Sequence, residues 1–186
     1  MSTLEVNSIQ PLSSGTTITL GANGKTLSIP SGCTITNSGT ATGFGGGKIG
    51  QVVTMSTSTS VTNTSTTHAD TGLTANITPS ATTSKIMIFA QVACACNRSN
   101  AEVYMNMDIV RDSTNIFVQG SQVFGGYTQG TGDLHNHSTQ TLAYVDSPSS
   151  TSQITYKVTF ANQGGGNAIV QYMSTPGIFT LMEILA

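Results

Sequence analysis

Two histidines spaced by one residue, His135 and His137 around Asn136, form the sharpest chemical constellation in this chain. In an extended backbone, residues two apart share a face, so both imidazoles project to one side. Imidazole is a common transition-metal ligand. Two rings fall short of the four donors of tetrahedral zinc, and no third ligand lies nearby in sequence. A metal reading therefore requires symmetry: on a threefold axis, three His-x-His segments would bring six nitrogens, enough for an octahedral ion. Without that axis they are two exposed loop histidines. The surrounding stretch, residues 120–138, is rich in Gly, Gln, Asn and His, with Phe124 and Tyr127 as its aromatics. A loop this long in a compact domain is usually functional or mobile. Amides beside an aromatic ring suit a sugar, which offers hydroxyls at its edges and C–H groups on its face. Phe124, Tyr127, Gln129 and Asn136 are the ligand-binding candidates on that reading. The alternative is a surface loop that packs on a neighbouring subunit.

Catalysis finds little support. Eight acids are spread through the chain: Glu5, Asp70, Glu102, Asp108, Asp112, Asp133, Asp146 and Glu183. Asp108 and Asp112 flank Arg111, which reads as a solvated ion cluster. A glycosidase needs two carboxylates at a defined separation, and nothing in the spacing pairs any two of these. There is no Gly-x-Ser-x-Gly elbow, no phosphate-binding strand–helix turn and no His-Glu-x-x-His helix. Neither an enzyme nor a cofactor is expected. His68 reads as a solitary surface or interface residue. Cys33, Cys94 and Cys96 are odd in number, which argues against a disulfide framework. Cys94 and Cys96 fall on one face of a strand and read as small buried apolar residues.

The elements that must hold these residues are all strands. Alternation is clean in places: Ile154, Tyr156, Val158 and Phe160 share one face, Thr155, Lys157 and Thr159 the other. The pattern predicts strands at 51–56, 60–69, 73–77, 85–96, 103–111, 114–119, 121–124, 139–145, 153–162, 168–173 and 177–185. Turn chemistry separates them, as in Thr78-Pro79-Ser80 and Gly164-Gly165-Gly166-Asn167. No window carries helical periodicity with caps. Residues 1–38 instead repeat clipped strands of alternating apolar and hydroxyl residues, with Ile18/Leu20, Leu27/Ile29 and Ile35 recurring every eight or nine positions. Rungs this thin cannot bury a core within one chain and call for partners. The expected architecture is all-β: a short N-terminal β-rung stalk (1–38), a Gly-rich linker (39–50) and a C-terminal antiparallel jelly-roll-like β-sandwich head (51–186).

Composition supports assembly. Only 8% of residues are charged, while 53 of 186 are Ser or Thr, against about 25% charged in soluble domains generally. A surface poor in Lys and Glu loses little side-chain entropy or charge hydration when it is buried between subunits. The net charge of −2, with scattered Lys and Arg, gives no footprint for nucleic acid. No apolar run is long enough for membrane insertion, and the N-terminus carries no secretory pattern.

Two stretches resemble the small fibre-like virion structural proteins of tailed bacteriophages, especially marine and cyanobacterial ones. One combines Leu4–Gln10 with Ile18–Gly45; the other joins Asp70–Ile88 with the terminal Thr180–Ile184. The resemblance implies a homotrimer, located on the virion and assembled in the bacterial cytoplasm. Residues 1–38 would attach to other virion proteins of tail or capsid, and the β-sandwich head would project. A His-x-His pair on its axis would be similar to metal sites of some trimeric phage fibres. The resemblance carries no enzymatic residues. The leading expectation is a tail fibre or appendage that binds a host-surface glycan. A capsid decoration or head-fibre protein is the alternative, and a glycan-degrading tailspike a more distant one.

Overall fold

The computed structural model describes residues 31, 48–121 and 123–185, with the side chains of residues 99–101 and 128–132 left outside that description. The expected rungs of 1–38 (residue 31 apart), the linker through residue 47 and Cys33 therefore lie outside the described residues. The chain divides into two units, Met1–Thr42 and Gly43–Ala186, and the second is the one described below.

Among the described residues nine strands follow one another: β1 (Ile49–Thr57), β2 (Val61–Asn63), β3 (Ala69–Ile77), β4 (Lys85–Arg111), β5 (Thr114–Val118), β6 (Phe124–Asp146), β7 (Ile154–Asn162), β8 (Asn167–Val170) and β9 (Gly177–Ile184). A short 3-10 turn, Tyr172–Ser174, precedes β9. Every pairing is antiparallel. The fold is the expected all-β, jelly-roll-like sandwich, two antiparallel sheets packed face to face.

One strand belongs to both sheets. The 27-residue β4 carries three partners in succession along one edge: β9 on Lys85–Gln91, β8 on Cys94–Asn97 and β7 on Met105–Arg111. Its other edge pairs with β6 and then β5. Its buried positions change parity on the way. Ile86, Ile88, Ala90, Val92, Cys94 and Cys96 point inward by even number; Val103, Met105, Met107 and Ile109 do so by odd number. A strand with a strict period of two cannot change faces without an irregularity. One lies between Ser99 and Ala101, where β6 places residues 129–132 against the single Asn100. Before it, β4 belongs to the sheet β1-β9-β4-β6; beyond it, to β3-β7-β4-β5.

The core lies between these layers. Leu73 and Ile77 of β3 and Tyr156 and Phe160 of β7 meet Ile86 and Ile88 of β4 and Phe179 and Leu181 of β9. Full burial contributes about 1.5–3 kcal/mol for each large aliphatic or Phe side chain. Three carboxylates sit in or at the edge of this core, and each is satisfied. Glu183 accepts from Gln51 Nε2 (2.7 Å), Ser80 N (2.6 Å) and Ser80 Oγ (2.7 Å). Asp146 accepts from Arg111 Nη1 (3.0 and 2.9 Å) and from Tyr156 Oη (2.6 Å). Asp108 accepts from Asn115 Nδ2 and Gln119 N, both at 3.1 Å.

Several expectations need correction. Asp108, Arg111 and Asp112 are not one solvated cluster. Asp108 is buried, Arg111 reaches across to Asp146, and Asp112 turns the β4–β5 hairpin with φ 52° while accepting Thr155 N at 3.0 Å. His68 is not solitary: its Nε2 lies 3.6 Å from Asp108 Oδ2 and its Nδ1 3.1 Å from Thr159 Oγ1. The two strands expected at 85–96 and 103–111 are one. The strand expected at 60–69 shortens to β2, because Asn63 Nδ2 donates to Thr67 O and Oδ1 accepts from Ser65 N, folding the segment into a side-chain-bonded turn. Most of the supposed loop 120–138 is strand, the first two-thirds of β6. Its polar composition masked a backbone paired to β4.

Candidate ligand-binding site

The three-residue His135-Asn136-His137 segment lies in β6 where β8, β4 and β6 run side by side. Cross-strand neighbours are Asn167, Asn97 and His135 in one row and Ile169, Ala95 and His137 in the next. Strand alternation does to these residues what the sequence required. His135 and His137 are exposed with ring centroids 6.4 Å apart. Asn136 points the other way, half-buried, and its Nδ2 donates to Gly125 O at 2.6 Å.

A shallow open hollow lies beside each imidazole. The first, about 370 Å³, is lined by Asn97, Arg98, Asp133, His135, Gly166 and Asn167. The glycines of the β7–β8 turn create its wall. Gly166 has φ +94°, and a Cβ there would stand 2.5 Å from Asn97 O; a Cβ on Gly165 would stand 2.4 Å from Arg98 Cζ. Only a side-chain-free turn lets the guanidinium lie against it. Arg98 also donates from Nη1 to Glu102 O, which fixes its direction. The second hollow, about 240 Å³, is bounded by His137, Tyr172 and Thr175 over Ala93 and Cys94. There the His137 ring sits on Tyr172, with centroids 4.4 Å apart and planes tilted 37°.

Tyr172 is held in a contorted segment. Gln171, Met173 and Ser174 all take left-handed φ, at 47°, 53° and 58°. Residues with a Cβ adopt that region only at a cost of about 1 kcal/mol or more each, sustained by the surrounding structure. Beneath the hollow, both thiols are inert. Burial, and for Cys94 the neighbouring Cys96, pushes each up to about 12. Their Sγ atoms face Val92 O and Phe124 O.

The candidates named from sequence therefore separate. His135, Asn136 and His137 come together. Phe124 does not join them: it is 7% exposed and part of the hydrophobic core, so its ring offers no face to a ligand. That corrects its assignment, and the cause is inward alternation at the start of β6. Tyr127 is exposed but pairs with Glu102, on the far side of the register shift from His135. The Gln129 side chain lies outside the described residues. Asn97, Arg98, Asp133, Asn167 and Tyr172 were missed. The only signals for them were a lone arginine and a triple glycine, far apart in sequence.

Chemically, the two hollows offer amide, guanidinium, carboxylate and imidazole groups around an aromatic pair. Such a set can exchange hydrogen bonds with a polyhydroxylated ligand and stack on its C–H face. Among the described residues, no three His, Cys, Asp or Glu side chains converge as a metal-holding group.

No family model matches this chain, and no curated protein matches it. Solved structures give loose likenesses. A structure of the infectious bursal disease virus Gx strain shares 13% identity at a TM-score of 0.38, over 73% of this chain and 37% of that one. The T13 viral particle of the same virus shares 13% at 0.35, over 73% and 36%. Its VP2 subviral particle shares 13% at 0.35, over 74% and 38%. This chain thus spans well under half the length of those it is similar to. Likeness at this level says nothing of function.

Proposed function

We propose that this chain is a non-enzymatic structural protein of a phage virion, a homotrimeric tail fibre or appendage. It attaches to other virion proteins through residues 1–38 and presents the β-sandwich head to a host-surface glycan. The observation that carries the reading is the joining of two things in one chain. An N-terminal repeat is too thin to bury itself, and the β-sandwich beyond it replaces charge with hydroxyls: 37 Ser and Thr against 11 charged residues in 51–186. That pattern suits a protein whose surfaces are spent on assembly. The polar hollows at His135 and His137 supply the amide and aromatic groups that a sugar requires.

Two measurements test it. Light scattering of the full chain is expected to give a mass three times the 19.2 kDa of one chain, and a stable monomer would sink the proposal. The purified protein is also expected to bind host cells or their surface polysaccharide without shortening the polysaccharide. A protein that ignores the cell surface but makes DNA-filled heads resistant to heat would be a capsid decoration protein instead. Release of shorter oligosaccharides would make it a tailspike enzyme.

A further inference from the structure

The two sheets turn very different outer faces to solvent. On the β3-β7 side the outward residues are Asp70, Thr74 and Asn76 of β3 and Thr155 and Lys157 of β7, and Lys157 Nζ bonds Asp70 Oδ1 at 2.8 Å. That is an ordinary wet sheet face.

The β1-β9-β4-β6 face is another matter. Its register aligns three rows of four side chains. The first row is Val52, Met182, Met87 and Val145; the second is Thr54, Thr180, Phe89 and Ala143; the third is Ser56, Ile178, Gln91 and Thr141. Seven of the twelve are apolar and none is charged. They point away from the core, whose own contributions from these strands are Ile86, Ile88, Ala90, Phe179, Leu181 and Leu142. Val52, Phe89, Val145 and Ile178 are 55%, 38%, 41% and 41% exposed. A few isolated apolar residues on a surface need no explanation, but a contiguous block does.

We propose that this face is the surface through which copies of this chain associate, three faces converging on a common axis. The inference rests on the homotrimer of the preceding subsection and names where its head domains meet. Two arguments favour a second copy as occupant. A patch brought against identical patches brings its own charges against themselves, and the twelve side chains of these rows carry none; Lys85, opposite Ile184, stands at the margin, one row beyond Met87. Its size is that of a modest shared contact: four strands about 4.8 Å apart and some six residues at about 3.4 Å span roughly 400 Å² per copy, so three copies meeting on an axis bury roughly 1,200 Å² in all, the low end of specific interfaces. The opposite face, with Asp70 and Lys157, fails the first condition.

The test uses the full chain. Phe89→Lys places a charge at the centre of the face without touching the core, and Thr74→Lys places one on the opposite face as a control. Light scattering across a dilution series is expected to show that Phe89→Lys raises the dissociation constant at least tenfold while Thr74→Lys leaves it unchanged. A second arm covers the case in which Phe89→Lys fails to fold. Ala143→Cys, in a Cys33→Ala background, is expected to join copies through a short bismaleimide linker. Oligomers that ignore Phe89→Lys, or that give no cross-link in the Ala143→Cys variant, overturn this interface and leave the homotrimer standing; the face would then be covered by another segment of the same chain or by another virion protein. A wild-type monomer overturns both.

Discussion

At the scale of single residues, the fold depends on a few buried carboxylates whose charges are met completely. Glu183 shows the balance. Burial alone would raise its pKa, but bonds from Gln51 and from both the hydroxyl and the amide of Ser80 outweigh that and hold it down to about 2, against 4.5 when unperturbed. A carboxylate depressed in the folded state contributes stability that is fully present above its unfolded pKa. That stability is lost as pH falls from about 4.5 towards 2. The loss should reach about 3 kcal/mol at most, at 1.36 kcal/mol per pKa unit. Urea titrations at pH 7, 4.5, 3 and 2 should show this acid-side decline in the wild type, and Glu183→Gln should flatten it. An equally steep decline in the variant would refute the assignment. Tyr156 and Asp146 make a second test. The hydroxyl donates at 2.6 Å to a buried carboxylate, so Tyr156→Phe should cost about 1.5–3 kcal/mol of unfolding free energy. The buried thiols give a third. With both pKa values pushed up to about 12, the thiolate fraction at pH 8 is about one in 10⁴. Alkylation mapped by mass spectrometry should modify Cys94 and Cys96 at least 100-fold more slowly in the folded chain than in urea; equal rates would place them at the surface.

At the scale of elements, the decisive feature is that β4 is a single strand serving two sheets. Sequence alternation correctly marked both halves, 85–96 and 103–111, because each has its own period-two pattern. It could not join them, since the parity change at residues 99–101 reads as an interruption when no partner strand is in view. The structure makes the interruption a register shift against β6. Deleting Asn100 is therefore expected to put Val103, Met105, Met107 and Ile109 on the wrong face and abolish cooperative thermal unfolding. A deletion variant that melts like the wild type would show that the shift sets no register. The Gly164–Gly166 turn is a second such element. With φ +94° and backbone in the way of any Cβ, Gly166→Ala should destabilise the domain by more than the ~1 kcal/mol ordinarily separating Gly from Ala. It should also displace Arg98 from the first hollow. Denaturant titration reads the first effect and binding of the host polysaccharide reads the second.

At the scale of the whole molecule, the proposed function rests on surfaces. One outer face of the sandwich carries the Asp70–Lys157 ion pair, the other carries uncharged, largely apolar rows with Lys85 at their margin, and the histidine hollows lie along the latter's strands beyond those rows, where β4 and β6 meet β8. This polarity matters for a trimer. Faces that meet at the axis would leave Asp70 and Lys157 outward, in water, where an ion pair contributes little but keeps the assembly soluble. Raising the ionic strength to about 1 M should therefore leave the proposed trimer intact, because an uncharged contact is not screened. Dissociation by salt, followed by sedimentation velocity, would point to a charged interface elsewhere.

The amino-acid sequence by itself determined the all-β class, most of the strands, the turns at Pro and Gly and the shared face of His135 and His137. These follow from local rules: alternation, β-branching, turn chemistry. It also marked Cys94 and Cys96 as buried, since two thiols two apart in an apolar run have one face to go to. Only the tertiary structure decided the rest. Phe124 went to the core and Tyr127 to the surface, though both stand in the same polar stretch, because inward direction is fixed by pairing with β4. Asp108 found His68, Arg111 found Asp146, and Arg98 found its glycine seat, each across tens of residues. Long-range partners are chosen by strand register, and register belongs to pairs of strands, so no single segment encodes it. The apolar outer face has the same origin. Its residues alternate with core residues in four separate strands, and only their alignment makes one surface of them.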